Sequence, residues 1–149
     1  MSAPAHGALE LAQRCAEAMW RDDAASQALG MKIGAIGPGT ATLSMTVTKT
    51  MVNGHGLCHG GYIFTLADSA FAFACNTYDR RTVAQHCAIT YLRPGRLGDL
   101  LSARAAERAR GGRSGIYDIT VSRGDGAVIA EFRGHSRAIE GALLADGAA

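Results

Sequence analysis

The run from Tyr62 to Asn76 constrains this chain more than any other feature. Its residues are apolar or small almost throughout, and a single carboxylate, Asp68, interrupts them. A helix with one apolar stripe rides on a surface, whereas a helix apolar on every side has to be enclosed by the rest of its fold. The remainder of the chain must therefore wrap this segment. It falls short of the roughly 20 apolar residues that a membrane span needs, and Asp68 breaks it near the middle.

The flanking sequence supplies strands for that purpose. Met31 to Ile36 reads as a strand, and after the turn at Gly37-Pro38-Gly39 the period becomes two, with Ala41, Leu43, Met45 and Val47 alternating with Thr42, Ser44, Thr46 and Thr48. Beyond a polar turn at Tyr78 to Arg81 come four more strand-like runs: Val83 to Leu92, Leu100 to Ala109, Ile116 to Ser122, and Ala127 to Ala138. Pro94-Gly95, Gly111-Gly112 and Gly124-Asp125-Gly126 separate them with turn chemistry. The alanine-rich Leu100 to Ala109 run would be helical on propensity alone. Short connections predict a meander of these later strands, and one antiparallel sheet curled around the apolar helix buries it most economically. The layout is α+β.

Ahead of the sheet, Leu9, Ala12, Ala16, Met19 and Trp20 recur at helical spacing; a second short helical stretch follows Asp22 and Asp23 and closes at Gly30. The tail from Gly141 reads as loose. With 149 residues and no repeat or linker, the expectation is one domain over residues 1–149, with its core at about 28–139.

Charge and cysteine usage remove several classes of function. A net charge of +2 is too small for a nucleic-acid track, and Arg104, Arg108, Arg110 and Arg113 alternate with small residues as on a solvated strand face. Met1 to Gly7 lacks the charged-then-apolar layout of a secretory signal, so a cytoplasmic location is expected. Cys15, Cys58, Cys75 and Cys87 contain no Cys-x-x-Cys pair and read as free thiols.

The chemistry centres on Asp68. An unpaired carboxylate among Phe64, Leu66, Ala67, Ala70, Phe71 and Ala72 is costly to bury and points either to a catalytic acid in a cleft or to an exposed patch or cap. Just upstream, Gly54, Gly56, Gly60 and Gly61 crowd the approach to the helix. Glycines there let a ligand reach backbone N–H groups that have no partner within the helix, and such a start favours negative charge, including the oxyanion formed when a carbonyl is attacked. Tight helix packing is the plainer role for Gly60 and Gly61. Eight residues separate Gly60 from Asp68, about 12 Å along a helix, too far for both to touch one carbonyl. Were both to act on one substrate, the site would be shared between two chains.

Other residues of the loop admit weaker readings. His55 and His59 stand four apart, yet the glycines around them disfavour a helix and no third metal ligand is spaced for a site. Cys58 beside His59 points away from it and reads as packing. His59 is suited to orient the loop by hydrogen bonds, and the Asn53 amide either positions a substrate carbonyl or water, or closes a turn at Asn53-Gly54.

Together, Asn53-Gly54-His55-Gly56-Leu57-Cys58-His59-Gly60-Gly61, then Leu66-Ala67-Asp68-Ser69-Ala70-Phe71-Ala72, Tyr91-Leu92-Arg93-Pro94-Gly95 and Ile116-Tyr117-Asp118-Ile119 resemble the hotdog-fold acyl-CoA thioesterases of phenylacetic acid degradation, from about Ala28 to Ile139. The resemblance implies a five- or six-stranded antiparallel sheet wrapped around the long helix, in dimers that usually pair as tetramers. It implies Asp68 as the catalytic carboxylate, the Gly60 amide as the group polarising the thioester carbonyl, and Asn53 as a residue placing the attacking group. His59 and Gly61 join these as substrate-binding residues; Arg93, Arg113 and Ser114 are either phosphate or pantetheine contacts of coenzyme A or solvated turn residues, since the family's coenzyme A contacts are less fixed. Aryl- or arylacetyl-CoA is the implied substrate, coenzyme A being part of it, and neither a cofactor nor a metal is required. The rival reading is a non-catalytic acyl-CoA-sensing module on the same fold. Hotdog hydratases, which pair an Asp with a His five residues on, are disfavoured because position 73 is Phe73.

Overall fold

The computed structural model describes residues 5–144. Helices α1 (Ala5–Asp22) and α2 (Ala24–Ala28) lead into strands β1 (Lys32–Gly37) and β2 (Thr40–Thr46). A single 3-10 turn (Lys49–Met51) and a glycine-rich loop precede helix α3 (Gly60–Cys75), and four strands follow: β3 (Thr82–Tyr91), β4 (Leu100–Gly111), β5 (Ser114–Arg123) and β6 (Val128–Ala138). The alanine-rich segment is a strand, because its alternate residues Leu101, Ala103 and Ala105 are completely buried against α3 while Arg104 and Arg108 face out. Packing overrides local helical propensity there.

All six strands form one antiparallel sheet in the order β1-β2-β4-β5-β6-β3. The meander therefore runs only through β4, β5 and β6. The expectation that β3 would join it is corrected: β3 lies at the far edge, paired with β6 from Thr82↔Ala138 to Tyr91↔Ala130. The segment around Pro94-Gly95 is no hairpin. It carries the chain back across to β2, where Gly98 N–H donates to Val47 O at 2.9 Å and Val47 N–H to Asp99 O at 2.9 Å. Sequence neighbours need not be sheet neighbours when a crossover is long enough.

Helix α3 lies in the concavity of this sheet, which is the hotdog arrangement. Ile63, Leu66, Ala67, Ala70, Phe71, Phe73 and Ala74 are buried, and the sheet meets them with large residues such as Leu43, Ile119 and Phe132 and with small ones where the helix comes close. Gly134 is the clearest case, since a Cβ there would stand 2.7 Å from the Phe71 ring. Phe71 in turn packs against Tyr117 and Phe132 at centroid distances of 5.6 and 6.0 Å.

The enclosure is incomplete. Gly61, Thr65, Asp68, Ser69 and Ala72 keep some exposure, and their spacing places them along one face of α3. The apolar run thus overstated the burial of that face, whose residues are small rather than truly hydrophobic. The start of the tail is also more ordered than expected, because Leu143 and Leu144 N–H both donate to Asp79 Oδ1 at 2.9 Å. Residues 145–149, the rest of that tail, and residues 1–4, most of the segment read for a secretory signal, lie outside the described residues.

Candidate active site

The loop before α3 is built by its own polar side chains. Asn53 Oδ1 accepts from His55 N–H at 2.9 Å and Leu57 N–H at 3.2 Å, closing the turn that its sequence position suggested. Both ends of the loop are then tied down, Cys58 N–H to Gly95 O at 2.8 Å and His59 N–H to Met51 O at 2.8 Å. His59 is the N-cap of α3, its Nδ1 accepting from Gly61 N–H at 2.9 Å.

That cap distinguishes the two glycines. The Gly61 N–H is engaged, whereas among the described residues no acceptor takes the Gly60 N–H. One unpaired donor at the positive end of a sixteen-residue helix is suited to an anionic oxygen. Tyr91, a residue that sequence reasoning quoted without assigning it a role, holds this spot: its hydroxyl donates to Gly60 O at 2.8 Å. Its ring also crowds the glycine, since a Cβ on residue 60 would stand 3.0 Å from Tyr91 Cζ.

Asn53, Gly60 and Arg93 line one open cleft of about 460 Å³, with Leu57, Ile63, Tyr91, Leu92 and Pro94 as its apolar wall. Arg93 Nη1 donates to Val128 O at 2.8 Å, which ties its guanidinium to the start of β6. Arg113 and Ser114 are elsewhere. They sit at the β4–β5 turn, beside Thr82 and Ala138, whereas Gly60 adjoins Tyr91 at the other end of β3. Nine steps of strand separate those ends, about 30 Å. Within one chain Arg93 and the Arg113-Ser114 pair cannot grip the same part of a small ligand.

Asp68 is two helical turns beyond Gly60 on the partly open face of α3 and does not line the Gly60 cleft. Desolvation by its apolar surroundings raises its carboxyl above the ordinary value of 3.8, and no charged group offsets that. The one side chain within hydrogen-bonding distance of its carboxylate among the described residues is the Cys87 thiol, 4.0 Å from Oδ1. Nothing in the sequence marked Cys87, because the contact joins α3 to an edge strand 19 residues on. Cys58 is buried, as a packing residue should be, and all four cysteines are free. No group of three or more potential metal ligands occurs among the described residues, and no described helix is long and apolar enough to cross a membrane.

A hotdog sheet around a helix whose glycine start presents a free N–H, with a desolvated carboxylate further along, fits the class of a thioester hydrolase, and comparison with known proteins places the chain in that class. The thioesterase superfamily model matches residues 55–130. The acyl-coenzyme A thioesterase PaaI of Escherichia coli strain K12 is 45% identical over 131 residues, 88% of this chain and 94% of that protein. The structure of the E. coli PaaI protein from the phenylacetic acid degradation operon superposes with a TM-score of 0.88, covering 89% of this chain and 96% of that one. A mutant of the phenylacetic acid degradation protein PaaI from Thermus thermophilus is 36% identical, with a TM-score of 0.74 over 76% of this chain and 97% of that chain. The chain belongs to the thioesterase superfamily.

Proposed function

We propose that the protein hydrolyses aryl- or arylacetyl-CoA thioesters, of the phenylacetyl-CoA or hydroxyphenylacetyl-CoA type, to the free acid and coenzyme A in phenylacetic acid catabolism. The observation that carries this reading is the unpaired Gly60 N–H, facing an apolar-walled cleft at a helix start. A thioester oxygen placed there is polarised in the ground state and stabilised more strongly as the tetrahedral oxyanion forms.

Asp68 supplies the other half of the chemistry. Its carboxylate either takes a proton from water as that water attacks the carbonyl carbon, or attacks the carbon itself to give a mixed anhydride that water then opens. In both routes the C–S bond breaks, coenzyme A leaves as thiolate and regains a proton, and the acid is released. Asn53, its Oδ1 held by two loop amides, offers its Nδ2 to the water or the acyl group. No cofactor takes part in these steps.

Because Gly60 and Asp68 are eight residues apart on one helix, about 12 Å, the reactive pair comes from two copies of the chain. Two features support such a homodimer: β3 is an edge strand with an open hydrogen-bonding side, and the α3 face that carries Asp68 is only partly covered by its own sheet. Antiparallel pairing of two β3 edges brings the Thr82 end of one copy toward the Tyr91 end of the other. That arrangement also sets Arg113 and Ser114 of one copy near Arg93 of the other, so that they contact different parts of one coenzyme A. The dimers pair further into tetramers.

Loss of thioester absorbance from a panel of acyl-CoAs tests the reading, with wild type compared with Asp68→Asn. Arylacetyl-CoA should be preferred and the variant should be nearly inactive; an Asp68→Asn enzyme as fast as wild type refutes the mechanism. Mixing inactive Asp68→Asn chains with chains crippled at Gly60 should recover part of the activity in hybrid dimers. An inert mixture overturns the shared site.

A further inference from the structure

The catalytic reading leaves one contact unused. We propose that Cys87 is a positioning residue for Asp68, its thiol fixing carboxylate oxygen Oδ1 and leaving Oδ2 for the chemistry. The inference rests on the role proposed for Asp68 and extends it to a second element of the fold.

Three observations carry it. Cys87 Sγ lies 4.0 Å from Asp68 Oδ1, within reach of a weak S–H···O bond, and no other side chain or backbone group among the described residues hydrogen-bonds that carboxylate. The contact is built by register: Cys87 is opposite Gly134, on the face of β3 that looks toward α3, and Gly134 is the residue against which Phe71 packs, three positions along the helix from Asp68. The same packing that seats the helix on the sheet therefore sets the thiol beside the acid. Finally, among the described residues no cation offsets the burial of Asp68. The groups facing Asp68 are Cys87 from β3 and Cys75 further along α3, while the neighbouring Ser69 hydroxyl is engaged with Ser26 of α2 at 2.8 Å.

The choice of a thiol has a chemical consequence. A thiol is a weak donor, so it orients the carboxylate while withdrawing little of its basicity. A hydroxyl or an arginine in its place would stabilise the anion and make it a poorer base or nucleophile. Burial already raises the Asp68 carboxyl, and a strong donor would work against that shift. Cys87 itself is held as the neutral thiol, its pKa raised by burial and by the Asp68 charge, so it is present as a donor and not as a competing thiolate.

The test is the pH profile of kcat/KM in full-length Cys87→Ser and Cys87→Val. The Asp68 carboxylate must be ionised to act, so activity rises with pH through its pKa. Serine, a stronger donor, should move that limb to lower pH, and valine, which fills the space without a donor, should move it to higher pH, each by roughly half a unit. Plateau kcat should fall a few-fold in both while KM changes little. Acid limbs of both variants that superpose on wild type overturn the proposal, as does a shift in the same direction in both. Asp68→Asn separates the two ideas: if it is fully active, the reading of Asp68 itself fails, whereas an inactive Asp68→Asn beside unshifted Cys87 variants removes only the thiol. Should Cys87→Val unfold, Cys87→Ser alone decides, because only donation to the acid moves the limb downward.

Discussion

The two ends of α3 are made from similar materials and finished in opposite ways. At the C-terminal end side chains close the helix: Asn76 Nδ2 donates to Ala72 O at 2.9 Å and to Thr82 O at 3.0 Å, while its Oδ1 accepts from Thr82 N–H at 2.9 Å. Thr77 does the same one residue on, donating to Ala74 O at 3.0 Å and accepting from Gly39 N–H at 2.8 Å. At the N-terminal end one cap, His59, engages Gly61, and the Gly60 N–H is left open to a cleft. An N–H left open at a helix start is hydrated when the cleft is empty and is free to donate to a ligand oxygen that displaces the water. One end anchors the helix, and the other is available for chemistry.

Substitutions can break or sharpen this contrast. The largest effect is expected between the two ends: Asp68→Asn should lower kcat on an arylacetyl-CoA by at least about 10²-fold, the usual contribution of a general base, with the fold unchanged by circular dichroism. At the sealed end, Asn76→Ala should do the reverse. It strands a buried carbonyl and an amide and should cost about 2 kcal/mol in urea unfolding, with kcat of the folded enzyme within about two-fold of wild type. A larger loss of kcat than of stability would show that the sealed end also takes part in the reaction.

At the open end, His59→Ala removes the cap on Gly61 and should cost about 1 kcal/mol while raising KM, since the glycine start loses its orientation. The smallest effect is electrostatic. The folded-state pKa of Asp68 is raised by burial, so its contribution to stability is intact below the ordinary carboxyl value of 3.8 and is lost as pH rises through the folded-state value. Thermal unfolding of Asp68→Asn and wild type should therefore converge at acid pH and separate toward neutrality, with the variant the more stable. Curves that stay parallel from acid to neutral pH would mean that Asp68 is not desolvated.

How much of this was legible in the chain depends on how far each feature reaches. Local spacing located α3, the period-two strands, the glycine-rich start and the exceptional position of Asp68, because those signals lie within a few residues of one another. Asn53 was read with both of its options open, and its Oδ1 closes the turn. The placement of β3 beside β6 was not legible, since β6 begins 37 residues after β3 ends and hydrophobic alternation looks the same on an edge strand as in a meander. Nor were the roles of Tyr91 and Cys87, each of which depends on a partner brought to it by the folded chain, whereas the bond from Gly61 to His59 is local and fits the loop-orienting part read for that histidine.

The order of residues alone settled that an almost wholly apolar helix needs a sheet around it, and that its glycine start and lone acid are the chemically unusual points. Only the three-dimensional arrangement decided that Gly60 keeps a free N–H while Gly61 does not, that Arg93 and Arg113 stand at opposite ends, and that a thiol meets the acid. The reason is physical: periodicity and turn chemistry act between neighbours along the chain, whereas the direction of a strand and the partner of a buried polar group are set by packing between segments that the chain brings together from far apart.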